Sequence, residues 1–431
     1  MLEKLFKLSA HGTTVKTEII AGFTTFLTMA YIIFVNPQML GATGMDPGAV
    51  FVATCLAATI GCFIMGFYAN YPVALAPGMG LNAFFTYVVV LHMGYTWQVA
   101  LGAVTLSGIC FVTLSLFSIR EWIINSIPLP MRKGIAAGIG LFLALIALKN
   151  ADIVVSNPAT LVSLGDMTSL SPALASLGFF LIIALMHFRV KGGVMLSILI
   201  ITVLGIILGD VQYTGILSMP PSIAPTFMQM DIAGAFNIGM ISVVFAFLFV
   251  DLFDTSGTLI AVAEKANLLD KDGNLPRLNR ALLADSTASI TGSMLGTSTT
   301  TSYVESVAGV AEGGRTGLTA VVVGILFLLA MFFAPLAKMV PAYATAGALL
   351  YVAVLMISSL KDIDWSDITE AAPVVIVALM MPLTFSIANG IALGFISYAV
   401  IKLLTGKAKE QSMSIWFLAI LFLAKEIFFP G

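Results

Sequence analysis

Two carboxylates, Asp251 and Asp254, interrupt a long apolar stretch of the sequence. They are three residues apart, so a helix would place them on one face. An ionisable group within hydrocarbon costs at least about 2.5 kcal/mol and is kept mainly where it has a function. Two like charges this close in a low dielectric disfavour each other, so one carboxyl can take up and release a proton. We therefore expect a proton-binding site, although one acid could instead satisfy backbone groups near a helix break.

A third acid, Glu305, follows the threonine-rich segment 296–303. Threonine runs favour extended backbone, so the segment predicts a break in a membrane-crossing helix. Glu305 would then stand near the start of a short helix, where backbone N–H groups point outward into a cavity. We expect Glu305 to bind a ligand, and helix capping is the competing interpretation.

A second broken segment, residues 71–80, contains two prolines and leads into Gly80, Leu81 and Asn82. The amide of Asn82 could offer a donor and an acceptor to a polar ligand, or it could tether the break. Thr28 is a weaker candidate, since a buried threonine commonly bonds its own helix. Interfacial ion pairing or capping is expected for Asp285 and Glu312 instead of ligand contact.

The composition excludes a soluble enzyme. Of the 431 residues, 59% are hydrophobic and only 10% are charged, and the mean hydropathy is +1.04, whereas soluble chains carry about a quarter charged residues. The net charge of −2 provides no basic surface for nucleic acid. The three histidines and three cysteines lack the spacing of a zinc or redox site, so neither a metal nor an organic cofactor is expected.

Apolar runs of 15 to 27 residues follow one another along the chain, and one membrane crossing takes about 20 residues. Glycines and prolines separate them into fourteen predicted spans: 19–36, 49–69, 73–92, 97–118, 134–149, 171–188, 192–209, 236–262, 281–295, 298–312, 316–337, 342–359, 371–386 and 388–405. A further apolar stretch, 413–429, could lie on the membrane surface or cross it.

The basic residues predict the orientation. If the N-terminus is cytoplasmic, all of the lysines and arginines fall inside except Lys149 and Lys338, with Lys425 undecided. Seven spans then precede the long outer loop 210–235 and seven follow it, so the two halves insert in opposite senses. Broken segments at corresponding positions of inverted halves indicate the midplane binding site of a transporter.

Five segments resemble the AzgA-like purine permeases, which belong with the nucleobase–cation symporters of the uracil-permease fold. The resemblance extends in order over nearly the whole chain and is carried by residues 21–31, 74–85, 251–259, 303–309 and 313–320. It implies an all-α polytopic membrane protein with short β-strands before Gly78 and before Glu305. It also implies a homodimer in the cytoplasmic membrane that imports hypoxanthine, guanine or adenine together with protons.

The resemblance further implies a seven-plus-seven inverted repeat. The repeats would comprise residues 1–210 and 211–410, with 411–431 as an extra apolar segment. Spans one to four and eight to eleven would form a core domain, and spans five to seven and twelve to fourteen a gate domain. The family's paired binding carboxylates would be Asp251 and Glu305, its second span-eight acid Asp254, and its third-span glycine and asparagine Gly80 and Asn82.

Two other functions remain open from the residues alone. An anion carrier of the same fold is disfavoured because three acids at the site would repel anions. An intramembrane enzyme would need a nucleophile or metal ligands beside the acids, and the sequence offers neither.

Overall fold

Helices form most of the structure, because a chain within hydrocarbon must satisfy its backbone hydrogen bonds internally. The computed structural model describes residues 2–116, 128–270 and 275–428. The first ten helices are α1 (Leu2–Phe6), α2 (Val15–Met29), α3 (Ile32–Gly41), α4 (Pro47–Ile64), α5 (Met79–Ala83), α6 (Trp97–Leu116), α7 (Leu129–Asn150), α8 (Leu170–His187), α9 (Gly193–Ile207) and α10 (Ile232–Ala235). The others are α11 (Ile238–Lys265), α12 (Leu278–Leu295), α13 (Ser306–Ala311), α14 (Gly317–Ala330), α15 (Ala334–Met339), α16 (Ala342–Ile357), α17 (Ile368–Leu383), α18 (Ile387–Leu404) and α19 (Met413–Phe428).

Nine helical stretches of the described ranges are long and apolar enough to cross a membrane. Shorter apolar helices accompany them, among them Met79–His92, in which a π-helical segment (Phe84–His92) extends α5. Most predicted spans coincide with one helix, and 73–92 and 298–312 begin with a strand. The span 19–36 instead falls on two helices, α2 and α3, which are separated at Ala30 and Tyr31, and 316–337 falls on α14 and α15. The ends of 97–118 and of the stretch 413–429 lie outside the described residues. The chain is therefore a mostly helical, multi-pass membrane protein.

A short antiparallel strand pair joins the two broken segments. Strand β1 (Leu75–Pro77) pairs with β4 (Thr300–Ser302), with Leu75 opposite Ser302 and Pro77 opposite Thr300. All six residues are buried. The pair is extended at both ends by backbone hydrogen bonds of 2.9 Å, from Gly78 N to Thr299 O and from Tyr303 N to Ala74 O. The two predicted strands are thus confirmed, and α5 and α13 begin directly after them.

The structure also contains a β-hairpin that was not expected from the sequence. Strands β2 (Val154–Asn157) and β3 (Leu161–Leu164) pair between α7 and α8. The turn is held by the Asn157 side chain, whose Oδ1 accepts from the backbone N of Ala159 and of Thr160. This Asx turn is a local signal for the hairpin.

The helices pack in two groups. In one group, α12 contacts α4 and α6, and α14 contacts α2 and α4. In the other, α7 lies between α16 and α17, α16 contacts α8, and α17 contacts α18. The C-terminal helix α19 packs against α18.

Charged side chains connect the beginning of α17 to the end of α18. Lys402, which is buried, donates from Nζ to Glu370 Oε1 at 2.6 Å and to Thr369 Oγ1 at 2.9 Å. Nearby, the hydroxyl of Thr369 and the ammonium of Lys407 hold the pKa of the Asp367 carboxyl well below its usual range. These contacts fix the ends of the two helices against each other.

The beginning of α14 is anchored by a buried acid of α2. Glu18 is fully buried, and its carboxylate accepts from the backbone N of Arg315 at 2.8 Å and of Thr319 at 3.1 Å. The Thr319 hydroxyl donates to the same carboxylate at 2.5 Å. A negative charge here accepts hydrogen bonds from the unpaired N–H groups of the helix start and interacts favourably with the positive end of the helix dipole.

Replacing Glu18 by alanine is expected to destabilise the protein, because buried N–H groups lose their acceptor at a cost of about 1–3 kcal/mol each. The measurement is thermal unfolding of the purified protein in detergent. Glu264→Ala, at an exposed acid near the end of α11, is the matched control. Equal melting temperatures for the two variants would contradict the anchoring role.

Candidate functional site

Glu305 stands between the strand pair and a short helix. It is the N-cap residue of α13 and is half-buried. Its Oε1 accepts a hydrogen bond of 2.6 Å from the hydroxyl of Tyr31, a buried residue of the turn between α2 and α3. In the described part of the chain, Oε2 has no side-chain partner. Tyr31 thus orients the Glu305 carboxylate through Oε1, and Oε2 remains available to a ligand.

The two acids of α11 have different surroundings. Asp251 is only 1% exposed; its Oδ2 accepts from Ser289 Oγ at 3.3 Å, and its Oδ1 has no partner among the described residues. Asp254 has an exposed side chain, and its helix α11 contacts α13, which begins directly after Glu305. Asp251 therefore faces the α12 side of the bundle, whereas Asp254 lies on a helix that packs beside the helix capped by Glu305.

Asp285 is a central residue of the site region, which corrects the expected interfacial role. It is fully buried, and its two carboxylate oxygens accept from Ser302 Oγ and Thr255 Oγ1, each at 2.8 Å. Thr255 also shares a hydrogen bond of 2.7 Å with Thr301. Asp285 therefore supports β4 through Ser302, and it lies on α12 together with Ser289, which bonds Asp251.

The position of Asp285 along its predicted span indicates only a helix end. A better signal is the spacing of polar residues on α12. Asp285, Ser289 and Ser293 recur every four residues and are all buried, which marks one polar face of the helix. For Glu312 the expected ion pairing is present, with Lys191 as its partner at 2.9 Å.

Asn82 lies on α5, is fully buried, and has no partner for either side-chain atom among the described residues. A buried amide without a protein partner indicates a bound water or ligand. Gly80 approaches α7 closely, since a Cβ at this position would lie 2.7 Å from Ile139 Cγ2. The side chain of Leu81 is buried in the core, so only its backbone could reach a ligand.

Thr28 is close to Glu305 but its hydroxyl is already occupied. Its Oγ1 donates to Thr25 O at 2.8 Å, and the distance to Glu305 O is 3.5 Å. The anticipated bond within its own helix is present.

Three tyrosines near the acids were not singled out from the sequence. Tyr31 donates a hydrogen bond to Glu305, and Tyr303 donates to Pro77 O at 2.5 Å across the strand pair. Tyr351 of α16 lies near Glu305. Tyr31 and Glu305 are 274 residues apart in the chain, so no local pattern could have joined them.

The arrangement can bind a polar molecule through hydrogen bonds. Carboxylates accept from ring N–H groups, and a hydrogen bond to a charged group is the stronger kind. In the ranges that the structure describes, no cluster of histidine, cysteine and acidic residues could hold a metal ion. Acids between two broken helices in a polytopic bundle are typical of a secondary transporter.

Comparison with known proteins agrees with this class. The model of the Permease family (Xan_ur_permease) matches residues 16–393. The chain is 55% identical to the adenine permease AdeP of Escherichia coli (strain K12), over 99% of this chain and 96% of AdeP. It is 47% identical to the guanine/hypoxanthine permease PbuG of Bacillus subtilis (strain 168), over 99% of this chain and 100% of PbuG.

Among solved structures, the fold is similar to the transmembrane domain of the cyanobacterial bicarbonate transporter BicA. The TM-score is 0.65 at 16% identity, covering 88% of this chain and 97% of that one. The protein belongs to the Permease family, within the nucleobase permease superfamily. It is a transporter and not an enzyme.

Removing the Asp285 carboxylate is expected to destabilise the strand pair. Asp285→Ala leaves the hydroxyls of Ser302 and Thr255 without their acceptor, at a cost of about 1–3 kcal/mol for each. Asp285→Asn keeps one acceptor and is expected to lose less. Thermal unfolding tests this, with Asp166→Ala in the exposed loop before α8 as control; an Asp285→Ala protein as stable as that control would refute the supporting role.

Proposed function

We propose that the protein imports purine nucleobases by proton symport. The observation that carries the proposal is the half-buried Glu305 carboxylate, fixed by Tyr31 at one oxygen and open at the other, beside the helix that carries Asp254. Relatives named as adenine and guanine/hypoxanthine permeases, at 55% and 47% identity, support purines as the substrate class.

In this proposal, Glu305 accepts a ring N–H of the base through Oε2. Asp251 is the second binding acid and contributes its unpartnered Oδ1. Asn82 contacts the base through its unpaired amide, and Gly80 and Leu81 contribute backbone at the start of α5. Thr28 contributes only by packing, since its hydroxyl is used within α2.

Proton coupling follows from the group of acids. Asp251 is near Asp254 and Asp285, and Asp254 is near Glu305. A site with so many carboxylates is most stable when it holds at least one proton. We propose that Asp254, Asp251 and Glu305 share this proton, which enters with the base. An anion carrier is disfavoured, because the same acids would repel an anion.

We also propose fourteen membrane segments in two inverted repeats, with the boundaries expected from the sequence. The group containing α12 and α14 would be the core domain, and the group around α7 and α16 the gate domain. Tyr351 of α16 would then face the core site from the gate. A homodimer in the cytoplasmic membrane, with a cytoplasmic N-terminus, completes this proposal.

Substituting either binding acid should weaken purine binding while the protein still folds. Glu305→Gln and Asp251→Asn each lose a charge-assisted hydrogen bond worth about 1.5–3 kcal/mol, which predicts Kd increases of roughly 10- to 150-fold. The measurement is equilibrium binding of radiolabelled adenine, guanine and hypoxanthine to purified protein. Glu264→Gln, outside the site, is the control; parent-like affinity for all three bases in either variant would disprove the assignment.

Uptake should follow the proton gradient. Proteoliposomes with an acidic exterior are expected to accumulate purine, and the accumulation should stop when a protonophore collapses the gradient. A sodium gradient alone should have no effect. Accumulation that follows sodium and ignores pH would reverse the coupling proposal while leaving the binding site intact.

A further inference from the structure

An apolar cavity of about 550 Å³ lies outside the proposed purine site. It is enclosed by the π-helical extension of α5, the first half of α11, the beginning of α18 and the C-terminal helix α19. Its walls are mainly aromatic and aliphatic: Phe84, Val88, Phe245, Phe249, Ile391 and Phe422. A volume of about 300–1,000 Å³ is typical of sites that take a small molecule.

The aromatic walls are held together by direct ring contacts. The rings of Phe245 and Phe249 on α11 are 4.1 Å apart between centroids. Phe422 of α19 meets Phe245 at 5.6 Å and stacks on Phe395 of α18 at 5.8 Å. The C-terminal helix therefore forms one wall of the cavity and links α18 to α11 there.

The mouth of the cavity continues into the surface that faces lipid. Ile241 and Leu421, both lining residues, are 64% and 42% exposed. Ile241 lies on α11, which is long and apolar enough to cross a membrane. Large apolar side chains exposed on such a helix contact hydrocarbon, so lipids lie beside this side of the opening. His92 and Tyr95, where the α5 extension ends, add polar groups to the lining, as does Ser386 at the N-cap of α18.

From this geometry we propose that the cavity is a lipid-binding site that takes one acyl chain of a membrane phospholipid. The acyl chain enters between Ile241 and Leu421 and lies against Phe245, Phe249 and Phe422. The polar lining around His92 and Ser386 is level with the glycerol and headgroup. Phe84 is two residues after Asn82 and Phe249 two before Asp251, so the bound acyl chain packs against two of the helices that carry the purine site.

Photocrosslinking in proteoliposomes tests the site. The probe is phosphatidylethanolamine with a diazirine near the end of one acyl chain, and labelled peptides are identified by mass spectrometry. In the parent protein, label is expected on the segments containing Phe245, Phe249 and Phe422. Label confined to outward-facing segments such as α8, with none on the cavity residues, would overturn the proposal.

Filling the cavity provides the matched comparison. Ala388 on α18 is half-buried and lines the cavity, so Ala388→Phe places a ring in the space that the chain would occupy. Labelling of Phe245 and Phe249 is expected to fall about tenfold, which corresponds to about 1.4 kcal/mol. Val400→Phe, on an exposed position of the same helix and outside the cavity, should leave labelling unchanged.

A second variant tests the site independently in case the first does not fold. Ala424→Phe fills the cavity from α19 instead. Each variant is used only if it elutes from size-exclusion chromatography as a single species. Loss of cavity labelling in the eluting variants supports the lipid site, and undiminished labelling refutes it. If neither variant elutes, the labelling map of the parent protein decides.

Discussion

The backbone ladder between β1 and β4 is the constraint on which the rest of the site depends. Extended backbone cannot satisfy its own N–H and C=O groups, and at membrane depth no water replaces them. Pairing Leu75–Pro77 with Thr300–Ser302 solves this for both broken segments at once. The ladder also fixes where α5 and α13 begin, and so places Asn82 and Glu305 in the same region of the bundle.

The β1–β4 ladder is in turn held by hydrogen bonds from an unusually polar set of buried side chains. Asp285 accepts from Ser302, Ser289 donates to Thr300 O at 2.9 Å, and Thr255 and Thr301 share a hydrogen bond. Beside these satisfied groups, several buried ones have no partner in the described ranges: Asn82, Thr86, Ser298, Thr299 and Thr300. Such groups are costly unless water or a ligand binds them, which supports the proposal that a polar solute binds at this point.

The sequence was sufficient to locate the breaks but not their surroundings. Prolines before Gly78 and threonines before Glu305 disfavour helix locally, so both strands and the start of α13 were predictable. Burial of Asp285 depends on which face of α12 packs inward, and the Tyr31–Glu305 bond joins distant parts of the chain. Charge counting could not separate Asp251 from Asp254, because their difference arises from the neighbouring helix.

The most direct test is a structure of the protein with a bound purine, determined by cryo-electron microscopy in nanodiscs. We expect density for the base beside Glu305, with Oε2 within hydrogen-bond distance of a ring nitrogen, and with Asn82 and Gly80 on the opposite side. Asp285 should still accept the hydrogen bond from Ser302 of β4. A base bound away from the β1–β4 pair, with no contact to Glu305, would contradict the account.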